Sequence, residues 1–273
     1  MFKFIVLADL HIVPQGKFSH GIDSLARLND AVAFVNENHS DAAFVVCAGD
    51  LADHGEPAAY MRFREAIEQL VPPVHLTLGN HDNRPAFLEI FGTDMVAETG
   101  CLDHVIDTGG YRIIVLDTSE PELSGAGRLA PVQIDWLKSR LAEAEDMPVV
   151  IVLHHNIVPF HVQTDFIILQ ENEAFADAVL SHRDVRQVIS GHVHMTTSGT
   201  YRGVPFCTFA GAHYSIEPTL ESRSGQVPNN SVRRREGPGQ LALVLCDRHS
   251  VVVHMENFLD RHPVLSKDLF RWS

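Results

Sequence analysis

The sequence predicts an α/β protein with two packed mixed β-sheets flanked by helices, organised as a single domain over residues 1–273. Three observations lead there. Strand-sized apolar runs alternate with amphipathic helical stretches through the first two-thirds of the chain, the pattern of βαβ units and a largely parallel sheet. From Thr196 onward the elements become short, β-like and bounded by turns, which adds antiparallel strands that form or extend a second sheet. The composition is 45% hydrophobic and 21% charged, which excludes a disordered or collagen-like chain.

The elements follow in order. Lys3 to Ala8 is a strand buried on both faces, because its apolar run does not alternate and is closed by Asp9. Ile22 to Asn38 places Leu25, Leu28, Val32 and Val35 at helical spacing, with Asp23 near the start. Ala42 to Ala48 is a strand that stops at Gly49-Asp50. Glu56 to Leu70 is a helix opened by Pro57, and Pro73 to Leu78 a strand ending at Gly79-Asn80-His81-Asp82. Asp82 is placed as the cap of a helix starting near Arg84 and Pro85. His104 to Asp107 and Tyr111 to Asp117 flank Gly109-Gly110, a two-residue hairpin signal.

Pro131 to Glu145 is helical, Pro148 to Leu153 is a strand ending in His154-His155, and Glu171 to Ser181 is a helix. Val185 to Ser190 is a strand that runs into Gly191-His192-Val193-His194. Thr196 to Arg202, Pro205 to Ala210, Gln240 to Cys246 and Ser250 to Asn257 are the closing strands. Two loop or cap insertions are expected, at about 156–170 and 215–239. The second is rich in Ser, Gly, Pro, Asn and Arg.

Charge and cysteine usage narrow the function classes. Asp plus Glu number 35 against 21 Lys plus Arg, a formal charge of -14, so long nucleic acids would be repelled rather than gathered. Attraction for a phosphate must then be local, and bound metal ions are a sufficient source. Cys47, Cys101, Cys207 and Cys246 form no C-x-x-C pair and are read as free thiols. No apolar run approaches the ~20 residues that cross a bilayer, and the one bracketed by Lys3 and Asp9 is too short for a signal peptide. The expectation is a cytoplasmic protein without a membrane partner.

The chain has 17 histidines, and six of them fall in clusters at strand ends. Five such ends carry metal-competent groups: Asp9-x-His11, Gly49-Asp50, Gly79-Asn80-His81-Asp82, His154-His155 and Gly191-His192-Val193-His194. In a parallel sheet the carboxyl ends of strands line one edge, so residues far apart in sequence meet there. Any one histidine reads as an ordinary buried side chain, whereas five coincident clusters read as a metal centre. Carboxylate, imidazole and amide together suit manganese, iron, zinc or cobalt, and the set lacks the thiolates usual in a structural zinc site.

These blocks, in this order, resemble the calcineurin-like metallophosphoesterases, whose pattern is D-x-H, G-D-x-x-D, G-N-H-D/E, a later His and G-H-x-H. The resemblance implies a four-layer αββα sandwich and two metal ions. One would be held by Asp9, His11, Asp50 and His194, the other by Asp50, Asn80, His154 and His192, with Asp50 as the bridge. His20-Gly21-Ile22-Asp23, Gly49 to Asp53 followed by Gly55-Glu56-Pro57, and Val185-Arg186 bring the chain nearer to bacterial class III cyclic-nucleotide phosphodiesterases and glycerophosphodiesterases. His54 stands where protein phosphatases of the superfamily have Arg, and Asn156 stands where relatives have Pro after His-His.

The activity this implies is hydrolysis of a small phosphodiester, a 3′,5′-cyclic nucleotide or a glycerophosphodiester, by in-line attack of a metal-bound hydroxide. His81, next to a ligand but not one itself, is assigned to transition-state charge or the leaving group, and Asp53 to orienting His81. Asn80, His81 and His213 are the expected substrate contacts, with His20 and His161 on the rim and Arg233-Arg234-Arg235 in a polar loop. His155 is assigned a supporting role. The other readings are a phosphomonoesterase or nuclease on the same scaffold, and a non-catalytic binding scaffold. A homodimer is expected from the resemblance alone.

Overall fold

A computed structural model describes residues 1–219 and 232–263. In chain order the elements are β1 (Phe2–Leu7), α1 (Ser24–Asn38), β2 (Val45–Ala48), α2 (Pro57–Ile67), β3 (Val74–Thr77), α3 (Arg84–Phe91), β4 (His104–Thr108) and β5 (Tyr111–Leu116). They continue with α4 (Pro131–Glu143), β6 (Val149–Leu153), α5 (Asn172–Leu180), β7 (Val185–Ser190), β8 (Thr197–Tyr201) and β9 (Val204–Thr208). The chain closes with β10 (Ser215–Ile216), β11 (Arg234–Arg235), β12 (Gln240–Cys246) and β13 (Val251–Asn257).

The strands form a five-stranded sheet in the order β13-β12-β1-β2-β3 and a six-stranded sheet in the order β4-β5-β6-β7-β9-β8. The unbroken apolar runs of β1, β2, β5 and β6 have a direct cause: each strand is buried on both faces. Phe4, Val6, Val46, Ile113, Val115, Val150 and Val152 point into the layer between the sheets. Their neighbours Ile5, Leu7, Val45 and Cys47 face α1, α2 and α3, while Ile114, Leu116, Ile151 and Leu153 face α4 and α5. Period-two alternation thus serves three apolar layers at once, and each fully buried Val, Leu, Ile or Phe contributes about 1.5–3 kcal/mol. The result is the expected αββα sandwich.

Helix starts follow the sequence signals, with Asp23 accepting from Ala26 N at 3.0 Å and Pro57 and Pro131 at first-turn positions. The last third departs from expectation. β9 lies parallel to β7, not antiparallel, because the hairpin turn at Arg202-Gly203 sends β8 to the outer edge and returns β9 alongside β7. β12 and β13 join the first sheet, where β12 runs antiparallel to β1 from Phe2↔Cys246 to Val6↔Ala242. The first and last parts of the fold are therefore hydrogen-bonded neighbours.

The insertion at 156–170 closes on itself: Leu169 N donates to Asn156 O at 3.1 Å, and the Asp165 carboxylate accepts from Phe160 N and Val162 N. Of the second insertion, residues 220–231 lie outside the described residues. All four cysteines are free, and Cys47, Cys207 and Cys246 are buried. Among the described residues no helix is long and apolar enough to cross a membrane.

Candidate metal centre

The carboxyl ends of β1, β2, β3, β6 and β7 converge, and main-chain hydrogen bonds lock their loops together. Asp9 N donates to Gly49 O at 3.1 Å, Leu10 N and His11 N both donate to Asp50 O at 2.9 Å, and Gly191 N donates to His154 O at 3.1 Å. His192 N donates to both oxygens of Asp9, at 3.0 and 3.1 Å, which ties the two sheets at the site. Nine described non-glycine residues have left-handed backbone, and five of them are Asp9, His11, Asp50, His192 and His194. Such conformations cost about 1–3 kcal/mol each and gather at functional sites, so this clustering is itself a sign of function. Gly79 is required by proximity: a Cβ there would lie 2.3 Å from Asp50 Oδ1 and 2.7 Å from His154 Nε2.

Two groups of inward-facing atoms result. In the first, His11 Nε2 lies 3.2 Å from His194 Nε2 and 3.6 Å from Asp50 Oδ2, and His194 Nε2 lies 3.5 Å from Asp9 Oδ1. In the second, His154 Nε2 lies 3.3 Å from Asp50 Oδ2, 3.2 Å from Asn80 Oδ1 and 3.3 Å from His192 Nδ1. Asp50 Oδ2 belongs to both groups, while Asp50 Oδ1 is occupied by His81 N at 2.9 Å.

The outward nitrogens fix which imidazole atoms can coordinate. His11 Nδ1 donates to Asp53 Oδ1 at 3.0 Å, His154 Nδ1 to Ala48 O at 2.9 Å, His194 Nδ1 to Tyr214 O at 2.9 Å, and His192 Nε2 to Ile167 O at 2.9 Å. Each ring thus holds one proton on the outer side, so in the neutral state of each the inner nitrogen presents a lone pair; in His154 the Asp50 carboxylate favours a second proton on that nitrogen, which a cation would replace. Lone pairs, carboxylates and an amide oxygen crowded at 3.2–3.6 Å are a fit to cations. The charges agree. Burial pushes the Asp9 carboxyl up to about 7 and His192 down to about 3. Burial opposes charge on Asp50 and His154 as well, yet their mutual attraction holds Asp50 well below the usual carboxylate range and lifts His154 to about 9.

The family profile described as calcineurin-like phosphoesterase matches residues 2–196, which span every one of these groups. The chain belongs to that family. It is 32% identical over 269 residues to a probable cyclic nucleotide phosphodiesterase of Rhodopseudomonas palustris, covering 97% of this chain and 95% of the relative. It is also 32% identical over 219 residues to a cAMP/cGMP dual specificity phosphodiesterase of Mycobacterium tuberculosis, covering 78% and 68%. In fold it is similar to a dimetal phosphatase from Danio rerio, with a TM-score of 0.69 at 17% identity over 95% of this chain and 97% of the other.

Around the centre of this phosphoesterase, His81 and Asn80 are the half-buried members, so the site opens to solvent on their side. His81 Nδ1 donates to the Asp53 carbonyl at 2.7 Å, which turns Nε2 outward. Burial would depress this imidazole, but the charge of Asp50 and the bond to Asp53 raise it above the ordinary value. The carboxylate of Asp53 does not orient His81, as expected, but His11. Asp53 N is bound to Ile12 O at 3.0 Å, and that pairing aims the side chain at the Asp9-x-His11 loop and leaves Oδ1 3.9 Å from His81 Nδ1. Burial alone would raise Asp53, yet the His11 contact holds it well below the usual range.

Asp82 does not cap α3. Asn83 does, accepting from Ala86 N at 3.0 Å, and Asp82 turns inward to the metal loops. His155 is buried, bonded to Thr118 Oγ1 at 2.7 Å, with its ring 4.5 Å from that of His192. His213 is also buried: it packs 5.0 Å from His11 and donates from Nε2 to Ser19 O at 3.1 Å, while its Nδ1 has no partner among the described residues. His20 stands edge-on to Tyr214, and Arg234 lies over the same ring at 5.3 Å. Arg235 pairs with Glu217, and nothing brings His161 to the centre. Sequence reasoning gave no role to Tyr60, which reads as a core position of α2, nor to the main-chain carbonyls of Tyr214 and Ile167, which carry no residue signature.

Proposed function

We propose that this phosphoesterase hydrolyses small phosphodiesters at a two-cation centre, with 3′,5′-cyclic nucleotides as its substrates. One observation carries the reading: two groups of inward-facing donor atoms share Asp50 Oδ2 and open to solvent beside His81. The first ion would be held by Asp9, His11, Asp50 and His194, the second by Asp50, Asn80, His154 and His192. The donor set suits manganese, iron, zinc or cobalt. When bound, the ions supply positive charge for the phosphate oxygens and lower the pKa of water at neutral pH.

The chain's own residues do the rest. Asp53, Ala48, Tyr214 and Ile167 hold the four rings in one orientation, with the outer nitrogen of each donating and the inner one turned to the centre. His81, anchored through Nδ1, directs Nε2 at the open side. There it donates a proton to the ester oxygen as the phosphorus–oxygen bond breaks, while water adds to phosphorus. Asn80 borders the same opening and orients the phosphate. The charge of -14 counts against a nuclease for long DNA or RNA. Support for cyclic nucleotides comes from the two relatives named for them, at 32% identity. The homodimer rests on family resemblance alone.

The test is a substrate panel on manganese-loaded protein: cyclic AMP, cyclic GMP, a glycerophosphodiester, bis(p-nitrophenyl) phosphate and p-nitrophenyl phosphate. The cyclic nucleotides should be turned over with the highest kcat/KM. A faster monoester would make the protein a phosphomonoesterase, and a faster glycerophosphodiester would move the substrate class. No activity on any of them, with both ions bound, would favour a binding scaffold.

A further inference from the structure

Asp82 carries four hydrogen bonds on one buried carboxylate. Oδ2 accepts from Gly79 N at 2.9 Å and Leu51 N at 3.1 Å, and Oδ1 accepts from Ala52 N at 3.0 Å and the Tyr60 hydroxyl at 3.0 Å. An ionised carboxylate offers about four acceptor positions, so this one is filled. The bonds do not follow the helix that begins two residues later. They run to the loop that carries Asp50 and to the turn that carries Asn80.

The relation is reciprocal. Asp50 Oδ1 accepts from His81 N at 2.9 Å, so each loop receives the carboxylate of the other. β2 and β3 are adjacent parallel strands, paired from Val45↔Val74 to Ala48↔Thr77, and nothing in their ladder continues past Ala48 to set the spacing of the two loops. The crossed carboxylates set it. Tyr60 completes the arrangement from α2: its hydroxyl donates to Asp82 and accepts from Asn83 N at 2.8 Å. Its ring is fully buried and meets Phe87 edge-on at 5.6 Å, which leaves the hydroxyl one position.

We propose that Asp82, held by Tyr60, is a positioning residue that sets the distance between Asp50 and Asn80 and thereby the affinity of the second cation site. This rests on the two-cation reading above. The second site needs both loops, since Asp50 and Asn80 are two of its donors. The first shares Asp50 but takes no donor from the turn after β3: its other members, Asp9, His11 and His194, come from the loops after β1 and β7, and Asp82 bonds to neither of these, so the Asp50–Asn80 distance enters the second site alone. A residue of general structural value would lower both affinities alike. A spacing device lowers one.

The experiment is a manganese titration followed by calorimetry and by electron paramagnetic resonance, on wild type, Tyr60→Phe, Asp82→Asn and Asp82→Glu. Tyr60→Phe keeps the ring and its packing on Phe87 and removes only the hydroxyl, so it remains informative if Asp82→Asn fails to fold. Wild type should bind two ions and show the exchange-coupled signal of a manganese pair. In Tyr60→Phe and Asp82→Asn the second event should weaken by about tenfold or more, with loss of the coupled signal, while the first stays within about threefold. Asp82→Glu, which keeps the carboxylate, should recover part of the second affinity. Equal weakening of both events, or no change in either, would overturn the proposal. Wild type that binds fewer than two ions would overturn the two-cation reading and this inference with it. Two ions without diester hydrolysis would overturn only the substrate, and leave the Asp82 result to stand on its own titration.

Discussion

His11 and His194 face each other with their Nε2 atoms 3.2 Å apart, and each has its Nδ1 proton engaged on the far side, with Asp53 and with the Tyr214 carbonyl. Two lone pairs at that distance repel unless positive charge lies between them. Both rings of the pair are buried, so water cannot screen the repulsion. A cation between them would remove this repulsion.

Metal removal should therefore cost stability as well as activity. A ligand present at about 100 times its Kd stabilises by about 2.7 kcal/mol, and in a chain of this length each kcal/mol shifts Tm by about 2–4 °C. Chelation should lower Tm by about 5–10 °C, and manganese should restore it. Scanning calorimetry with and without chelator reads this directly.

Gly79→Ala should disable the centre without emptying the core. The added Cβ would lie 2.3 Å from Asp50 Oδ1 and 2.5 Å from Asp50 N, so the bridging carboxylate must move. We expect loss of at least one bound ion and a fall in kcat of about 10²-fold or more. Metal analysis beside steady-state kinetics checks both, and a variant with two ions and full turnover would refute the geometry.

His81→Gln should separate chemistry from metal binding. The His81 ring lies outside the two donor groups and is anchored on the Asp53 carbonyl. Removing a proton donor costs about 10²–10⁴-fold in rate. The expected result is that loss in kcat with both ions retained. Restoration of rate on an ester whose leaving group needs no proton would identify the step.

The pair His75 and His104 predicts an acid limit to stability. The rings, on β3 and β4, stack at 5.3 Å where the edges of the two sheets meet. Burial lowers both, His75 to about 4 with the neighbouring charge of His104 adding to the effect. An unfolded histidine titrates near ~6.5. Between those values the folded protein binds fewer protons than the unfolded chain, so stability is full above about 6.5 and falls as pH drops toward 4. His75→Gln should flatten this part of the curve, measured as urea midpoints at several pH values. An unchanged slope would contradict the assignment.

Much of this was legible in the sequence for a physical reason. Strands buried on both faces are apolar where they are buried, so β2, β6 and residues 4–7 of β1 stand out, and their ends are marked where Asp50, His154 and Asp9 interrupt them. Pairing partners were less legible. Nothing in Gln240 to Cys246 says that it lies beside β1, because an apolar strand suits either sheet. Asp82 and Asn83 are both good helix caps, and only the inward loops decide that Asn83 takes the role. Asp53 reads from the sequence as the partner of His81, and its carboxylate meets His11 instead because of the Ile12 pairing, which residue types do not encode. The carbonyls of Ala48, Ile167 and Tyr214 leave no trace at all.

The central claim is that one carboxylate oxygen of Asp50 joins two cation sites. Crystals grown with manganese and measured at its absorption edge test it most directly. The account predicts two anomalous peaks, one beside His11 and His194 and one beside His154 and His192, with Asp50 Oδ2 between them. A single peak, or peaks away from Asp50, would contradict it.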